Sequence, residues 1–250
     1  MPLTKPKVMK KTIIILYGVL AYFIFLAAFL YAIGFVGNLV VPKSIDSGIE
    51  STLVQSIIIN LILLSVFAIQ HSVMARPSFK KWWNTIIGTA SERSTYVLLS
   101  SLALILVYWQ WQPIKTIVWE VENETLALVL KGLFFIGWLI VLLSTFMINH
   151  FELFGLRQIF DNFKNRQPQP QLFQVSFFYK IIRHPIMLGF LIAFWATPTM
   201  TVGHLLFTVV TTLYILIAVK YLEEKDLLKS LGKKYEDYQK KVPMLVPFTK

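Results

Sequence analysis

The sequence predicts an all-α fold: a polytopic integral membrane helical bundle of four spans plus a C-terminal helical hairpin and a cytoplasmic amphipathic tail helix. Three observations predict it. Charged residues are 15% of the 250 positions and AVILMFWYC residues 56%, where an ordinary soluble domain is about a quarter charged. Five stretches are free of formal charge, or nearly so, over the roughly 20 residues that a helix needs to cross about 30 Å of hydrocarbon. Finally, 21 of the 24 Lys and Arg fall in segments that such a fold leaves on one face.

The first stretch, residues 12–42, follows Lys10-Lys11. Its apolar core far exceeds the about 7–15 residues of a signal-peptide core, so it reads as a retained anchor. Residues 51–75 and 94–114 follow, then 125–151, interrupted only by Lys131, which lies near the start and can snorkel. The last stretch, 185–219, has 35 residues, about 50 Å as one straight helix. Its middle reads Thr197-Pro198-Thr199-Met200-Thr201-Val202-Gly203. Proline removes a helical hydrogen bond and glycine weakens the helix, which points to two short helices forming a hairpin. Spans are therefore expected at about 12–37, 53–73, 95–112 and 126–149, the hairpin at 185–219 and the tail at 220–250, all in one membrane domain over residues 1–250. No repeat or low-complexity linker divides the chain.

Charge orients this arrangement. Only Lys43, Lys115 and Lys131 lie away from the basic face, and a single crossing by 185–219 would move eight lysines off it. The positive-inside rule places both termini in the cytoplasm, with Asp46 and Glu120 to Glu124 on the far side. The formal charge of +11 thus addresses a lipid bilayer rather than nucleic acid. In the tail, Leu222, Leu227, Leu228, Leu231, Tyr235, Tyr238 and Val242 recur every three to five residues, the pattern of an amphipathic helix on the membrane surface or back across the spans. The loop from His150 to Arg183 carries Gln167-Pro168-Gln169-Pro170 at its centre.

With no cysteine in the chain, disulfides, thiolate metal sites and a catalytic cysteine are excluded. Four histidines without helix-face ligand spacing support no metal. Polar groups at the hydrocarbon edge are expensive and mark candidate sites. They gather at the cytoplasmic span ends: Gln70-His71, Arg93 with Tyr96, Asn149-His150 with Glu152, Arg157-Gln158, Arg183-His184 and Glu223-Glu224. Interfacial hydrogen bonding is the plain alternative for His71 and His150, and for the isolated His204. Arg183-His184-Pro185 opens the hairpin with proline at the first helical position. The turn that follows offers free N–H groups to a carboxylate or phosphate; a basic anchor with a helix-start proline is the plain reading.

Taken together, Arg183-His184-Pro185-x-x-x-Gly189, about 30 apolar residues, Glu223-Glu224, and Gly232-x-x-Tyr235-x-x-Tyr238-x-x-x-x-Pro243 with Pro247 resemble the C-terminal pattern of the isoprenylcysteine carboxyl methyltransferase superfamily. The resemblance covers about the last 70 residues. It implies S-adenosylmethionine enclosed between hairpin and tail, with Arg183, His184, Glu223, Glu224 and the region from Tyr238 to Pro243 as cofactor-binding candidates. Many members carry a tyrosine two residues after the proline; this chain has Met187 there, which is kept among the candidates with Arg157 and Gln158. Val41-Pro42-Lys43-Ser44-Ile45-Asp46, Gln70-His71-Ser72-Val73-Met74-Ala75-Arg76, Glu92-Arg93-Ser94-Thr95-Tyr96 and Asn149-His150-Phe151-Glu152-Leu153-Phe154-Gly155-Leu156-Arg157-Gln158 are similar to bacterial methanethiol S-methyltransferases, and shorter motifs to NnrU-like membrane proteins. The resemblance implies a bacterial inner membrane enzyme that converts methanethiol to dimethyl sulfide.

Such an enzyme must deprotonate a thiol, since a free thiol with pKa near 8.5 is mostly protonated at pH 7. His71 is the first candidate base and His150 the second. Tyr96 or Asp46 would complete a relay, the latter only if the first external loop dips inward. Rival readings are a methyltransferase of a larger lipid or prenylated thiol, a reductase of the sterol type, and a transporter or haem-linked membrane protein.

Overall fold

A computed structural model describes residues 5–167, 173, 175–247 and 249, with only the backbone of 5–9. Pro168-Gln169-Pro170, the expected loop centre, lies outside the described residues. Helix α1 (Lys5–Gly37) is followed by α2 (Leu53–Ala75), the short α3 (Pro77–Ile87), α4 (Thr89–Gln110), strand β1 (Ile117–Glu120) and α5 (Glu124–Ile148). Next come α6 (His150–Leu153), α7 (Leu156–Phe163), a 3-10 turn (Phe177–Lys180), α8 (Pro185–Trp195), β2 (Thr199–Thr201) and α9 (Val202–Ala218). A π-helical turn (Val219–Glu223) then leads into α10 (Glu224–Leu231) and α11 (Lys233–Lys241).

Five helices among the described residues are long and apolar enough to span a membrane: Lys10–Gly37, Leu53–Ala75, Thr89–Gln110, Glu124–Ile148 and Val202–Leu231. Their starts are chemically marked. Side-chain oxygens of Thr52, Asn123 and Thr201 accept from the backbone N–H of Gln55, Leu126 and His204, satisfying donors that a helix start leaves open, while Pro77 and Pro185 open α3 and α8. Outward side chains such as Leu128, Phe135, Leu139 and Phe146 are more than half exposed. An apolar surface of that kind is stable only against lipid.

Helix α8 has 11 residues, about 16 Å, too short to cross alone. Extended chain completes the passage: β2 pairs antiparallel with β1, with Ile117 opposite Thr201 and Glu120 opposite Thr199. Since β1 belongs to the connection between α4 and α5, the hairpin tip reaches the face opposite α3, and α9 returns from it. This small sheet was not legible as strand in so apolar a stretch.

The hairpin packs against α5 through two glycines. A Cβ on Gly189 would lie 2.7 Å from the Gly137 carbonyl oxygen, and one on Gly137 would lie 2.6 Å from the Ala193 nitrogen. Small residues let the two backbones approach closely, as membrane helices commonly do. Towards the face away from α3, an aromatic core of Phe35, Tyr108, Trp111, Trp138, Phe194 and Phe207 closes the bundle. The Trp111 indole N–H donates to the Ile45 carbonyl at 3.1 Å, so the loop between α1 and α2 is held inward.

The tail, expected as one amphipathic helix, is two. Gly232, at φ 58° and ψ −134°, adopts a backbone conformation that glycine tolerates best, and α11 turns back. The chain after α11 then straps the start of α8: the N–H groups of Arg183 and His184 donate to the carbonyls of Pro243 (2.9 Å) and Met244 (3.1 Å).

Candidate functional site

The polar span ends meet on the face shared by α3 and the tail, in three linked clusters. In the first, the Tyr96 hydroxyl lies 2.9 Å from His71 Nε2 and 3.1 Å from Nδ1, and Ser100 Oγ lies 3.3 Å from Nδ1. Phe67 stacks on the imidazole at 5.2 Å. The spacing works because residues at i and i+4 share a helix face: Phe67 and His71 line one side of α2, Tyr96 and Ser100 the facing side of α4. Arg93 lies 5.1 Å above the Tyr96 ring, within cation–π range, and its Nε donates to the Leu153 carbonyl at 2.7 Å.

Glu224 organises the second cluster. Its Oε1 accepts from Arg183 Nε (2.7 Å), His184 Nε2 (2.8 Å) and Tyr235 Oη (2.9 Å), and its Oε2 from Arg183 Nη2 (2.9 Å) and Gln239 Nε2 (2.6 Å). The bidentate Arg183–Glu224 pair is about 10% exposed on either side. Arg183 also donates to the carbonyls of Val242 and Gln239. Burial disfavours charge on His184, but the Glu223 and Glu224 carboxylates outweigh that and raise its pKa to about 9. Glu223, 3.6 Å from His184 Nδ1 and 44% exposed, is the carboxylate left open. It lies on the π-helical turn, a feature common at functional sites, within charge reach of His71 and Tyr96.

The third cluster surrounds Glu152, whose Oε2 accepts from Asn149 Nδ2 (2.7 Å) and Arg157 Nη1 (2.8 Å). Gln158 donates to the Glu152 carbonyl at 3.0 Å, and its own Oε1 is buried without a hydrogen-bond partner. A cavity of about 360 Å³ opens here, lined in part by Lys80, Glu92, Arg93, Asn149 and Gln158.

The structure therefore brings His71 and Tyr96 together, and Arg183, His184, Glu223 and Glu224 together. Arg183 and Glu224, both cofactor-binding candidates, meet each other, because a buried guanidinium without a carboxylate is costly. The N–H groups of Arg183 and His184 are taken by the strap. Tyr238 donates to the Tyr179 carbonyl at 2.6 Å, Pro243 accepts from Arg183, and Met187 sits half-buried in the first turn of α8.

His150 is 5% exposed, with Nε2 2.8 Å from the Tyr22 hydroxyl, Nδ1 2.8 Å from Thr145 Oγ1 and Phe146 stacked at 4.2 Å. Burial lowers its pKa. Asp46 is not brought to His71. Its carboxylate accepts from Thr201 Oγ1 (2.6 Å) and Asn38 Nδ2 (2.7 Å) beside the strands, while His71 lies 18 residues along α2 from Leu53, about 27 Å of helix. The loop is held inward, but at the other end of the bundle.

Sequence reasoning missed Tyr22, Tyr179, Tyr214, Asp226 and Gln239. Tyr214, 3.0 Å from Ser72 Oγ, and Asp226, paired with Arg76 at 2.8 Å, tie α2 to α9 and α10. The polar hydroxyls of Tyr22 and Tyr214 inside apolar spans were the available signal; nothing local marked the others.

Comparison with known proteins identifies relatives of the whole chain. The model of a family described as NnrU protein matches residues 59–229. The chain is 56% identical over 94% of its length to methanethiol S-methyltransferase 2 of Bradyrhizobium diazoefficiens, covering 90% of that protein. It is 52% identical over 96% of its length to methanethiol S-methyltransferase of Mycobacterium tuberculosis, covering 98% of it. Mouse nurim is 30% identical over 71% of the chain and 70% of its own length. No solved structure matches.

Proposed function

The chain belongs to the NnrU family, and on that basis we propose that it is a membrane methyltransferase that converts methanethiol to dimethyl sulfide with S-adenosylmethionine as methyl donor. The observation that carries this reading is the near full-length identity of 52–56% to relatives named for that reaction. Both termini are cytoplasmic in this reading, in a bacterial inner membrane; the basic-residue asymmetry supports the orientation.

The residues present fit a sulfonium donor. The open Glu223 carboxylate complements a positive sulfur, and the buried, unpartnered Gln158 Oε1 waits for a donor from a ligand. The cofactor, when bound, supplies a methyl group on positively charged sulfur, open to in-line displacement. The chain's own groups do the rest. His71 accepts the thiol proton on a ring nitrogen, and Tyr96 and Ser100 fix the plane of that ring. Glu223 faces the same space from the π-helical turn. Arg183, His184 and Glu224 lock the hairpin start to the tail, and the strap over residues 183 and 184 excludes water and holds the groups in line. Arg157 and Asn149 position Glu152 and, through it, Gln158. A small apolar thiol dissolves in lipid and reaches the site from among the spans.

The test uses protein in nanodiscs with isotope-labelled S-adenosylmethionine. Saturable binding and labelled dimethyl sulfide in the headspace are expected. Binding without transfer to methanethiol would reassign the acceptor, and absence of binding would overturn the methyltransferase reading.

A further inference from the structure

The cavity beside Arg93 has a lining that the thiol does not need. Lys80 on α3 and Arg93 on α4 bring positive charge to it, Glu92 and Glu152 negative charge, and Asn149 and Gln158 amides. Methanethiol carries neither charge. An inorganic anion would meet the carboxylates, and a metal cation would meet the ammonium and guanidinium. A ligand with both charges a few ångströms apart satisfies both sets.

The availability of each group agrees. Arg93 commits Nε to Leu153, which leaves its outer nitrogens for a carboxylate. Neither Lys80 nor Glu92 makes a side-chain ion pair among the described residues. Burial and the Arg93 charge push the Lys80 ammonium below the usual lysine value, and the Glu92 charge offsets them only in part, which leaves the cation able to take a further counter-charge. Gln158 Oε1 is buried with no donor facing it. At about 360 Å³ the space lies within the range of small-molecule pockets. Through Arg93 it adjoins Tyr96 and His71, where the reacting atoms are proposed to meet.

We propose that this cavity holds an α-amino-acid zwitterion, the aminoacyl end of the sulfonium donor and of its thioether product, with the carboxylate toward Lys80 and Arg93 and the ammonium toward Glu92 and Gln158. The inference rests on the donor reading above and moves recognition of the cofactor's charges away from the mutually neutralised Arg183 and Glu224. A zwitterionic lipid headgroup offers the same pair of charges, so the test separates the two sources.

Calorimetry on the full chain in nanodiscs compares S-adenosylhomocysteine with 5′-methylthioadenosine, which lacks the aminoacyl group. The wild type is expected to prefer the former by about tenfold or more, the range of a charge-assisted bond. Lys80→Met and Glu92→Gln should each shrink that preference by about tenfold, with 5′-methylthioadenosine affinity unchanged, which also shows that the variants fold. An unchanged ratio in both variants, or an equal loss of both nucleosides, overturns the inference. An unchanged ratio with loss of co-purifying phosphatidylethanolamine assigns the cavity to lipid instead. Failure of the wild type to bind either nucleoside would sink the donor reading itself.

Discussion

His71 and His150 look alike in the sequence, each closing a span, and the partners of their ring nitrogens separate them. Thr145 Oγ1 already donates to the Leu142 carbonyl, so it accepts from His150 Nδ1, and Nε2 accepts from Tyr22. A neutral His150 thereby has both nitrogens satisfied and acts as a pin between α1 and α5. We expect His71→Ala to retain cofactor binding while turnover falls about a hundredfold, a loss that shrinks as pH rises because solvent then supplies thiolate. His150→Ala should lose activity by one factor at every pH; near-normal turnover of His71→Ala at neutral pH would remove the base assignment. His184 carries a second expectation. Its pKa rises from 6.5 to about 9 on folding, so its stabilisation is fully present below about pH 6.5 and fades as pH climbs through 9. Melting of the detergent-solubilised protein should show that decline, and His184→Gln should flatten it; an identical profile in the variant would contradict the charge assignment.

Among the elements, the crossing of α5 and α8 is the most exacting contact. Gly189 appears in the sequence only as a member of an ordered motif, and its reason is spatial: no side chain fits between it and Gly137. Gly189→Leu should lower the melting temperature and activity together, with a cost of about 1–3 kcal/mol or more for overpacking. Gly132→Ala, on α5 like Gly137 but with nothing within 4 Å of the added carbon, should be neutral or stabilising by up to about 1 kcal/mol. Equal effects of the two substitutions would mean that the close approach is not what the glycine provides. The tail shows the limit of periodicity. Its leucines and tyrosines keep helical spacing across Gly232, but spacing does not record that the chain reverses there, nor that Tyr235 and Gln239 turn inward to Glu224.

For the molecule as a whole, the hairpin decides the topology. If 185–219 crosses and returns, a reporter active only in the cytoplasm gives signal when fused after the C-terminal residue and none when inserted at Gly48 in the first external loop. A C-terminal fusion that is silent in the cytoplasm would show a single crossing. The β1–β2 pairing supports the returning path, because it fixes the hairpin tip to the connection between α4 and α5. The same arrangement separates the molecule into two ends, an aromatic plug on one face and the polar clusters on the other.

The polytopic helical membrane class was legible along the chain, because hydrophobic length and charge asymmetry are sums over neighbouring residues and need no partner. His71, Tyr96, Arg183 and Glu224 could be nominated for the same reason: polar groups at span ends stand out locally. Which of them meet each other was decided only by the fold. Arg183 and Glu224 lie 41 residues apart and cancel one another only because the hairpin closes. Asp46 is carried away from His71 by a helix that runs the depth of the bilayer. Gln158 is left with an unanswered oxygen only where α4, α6 and α7 converge, since a pairing is a property of space rather than of sequence distance.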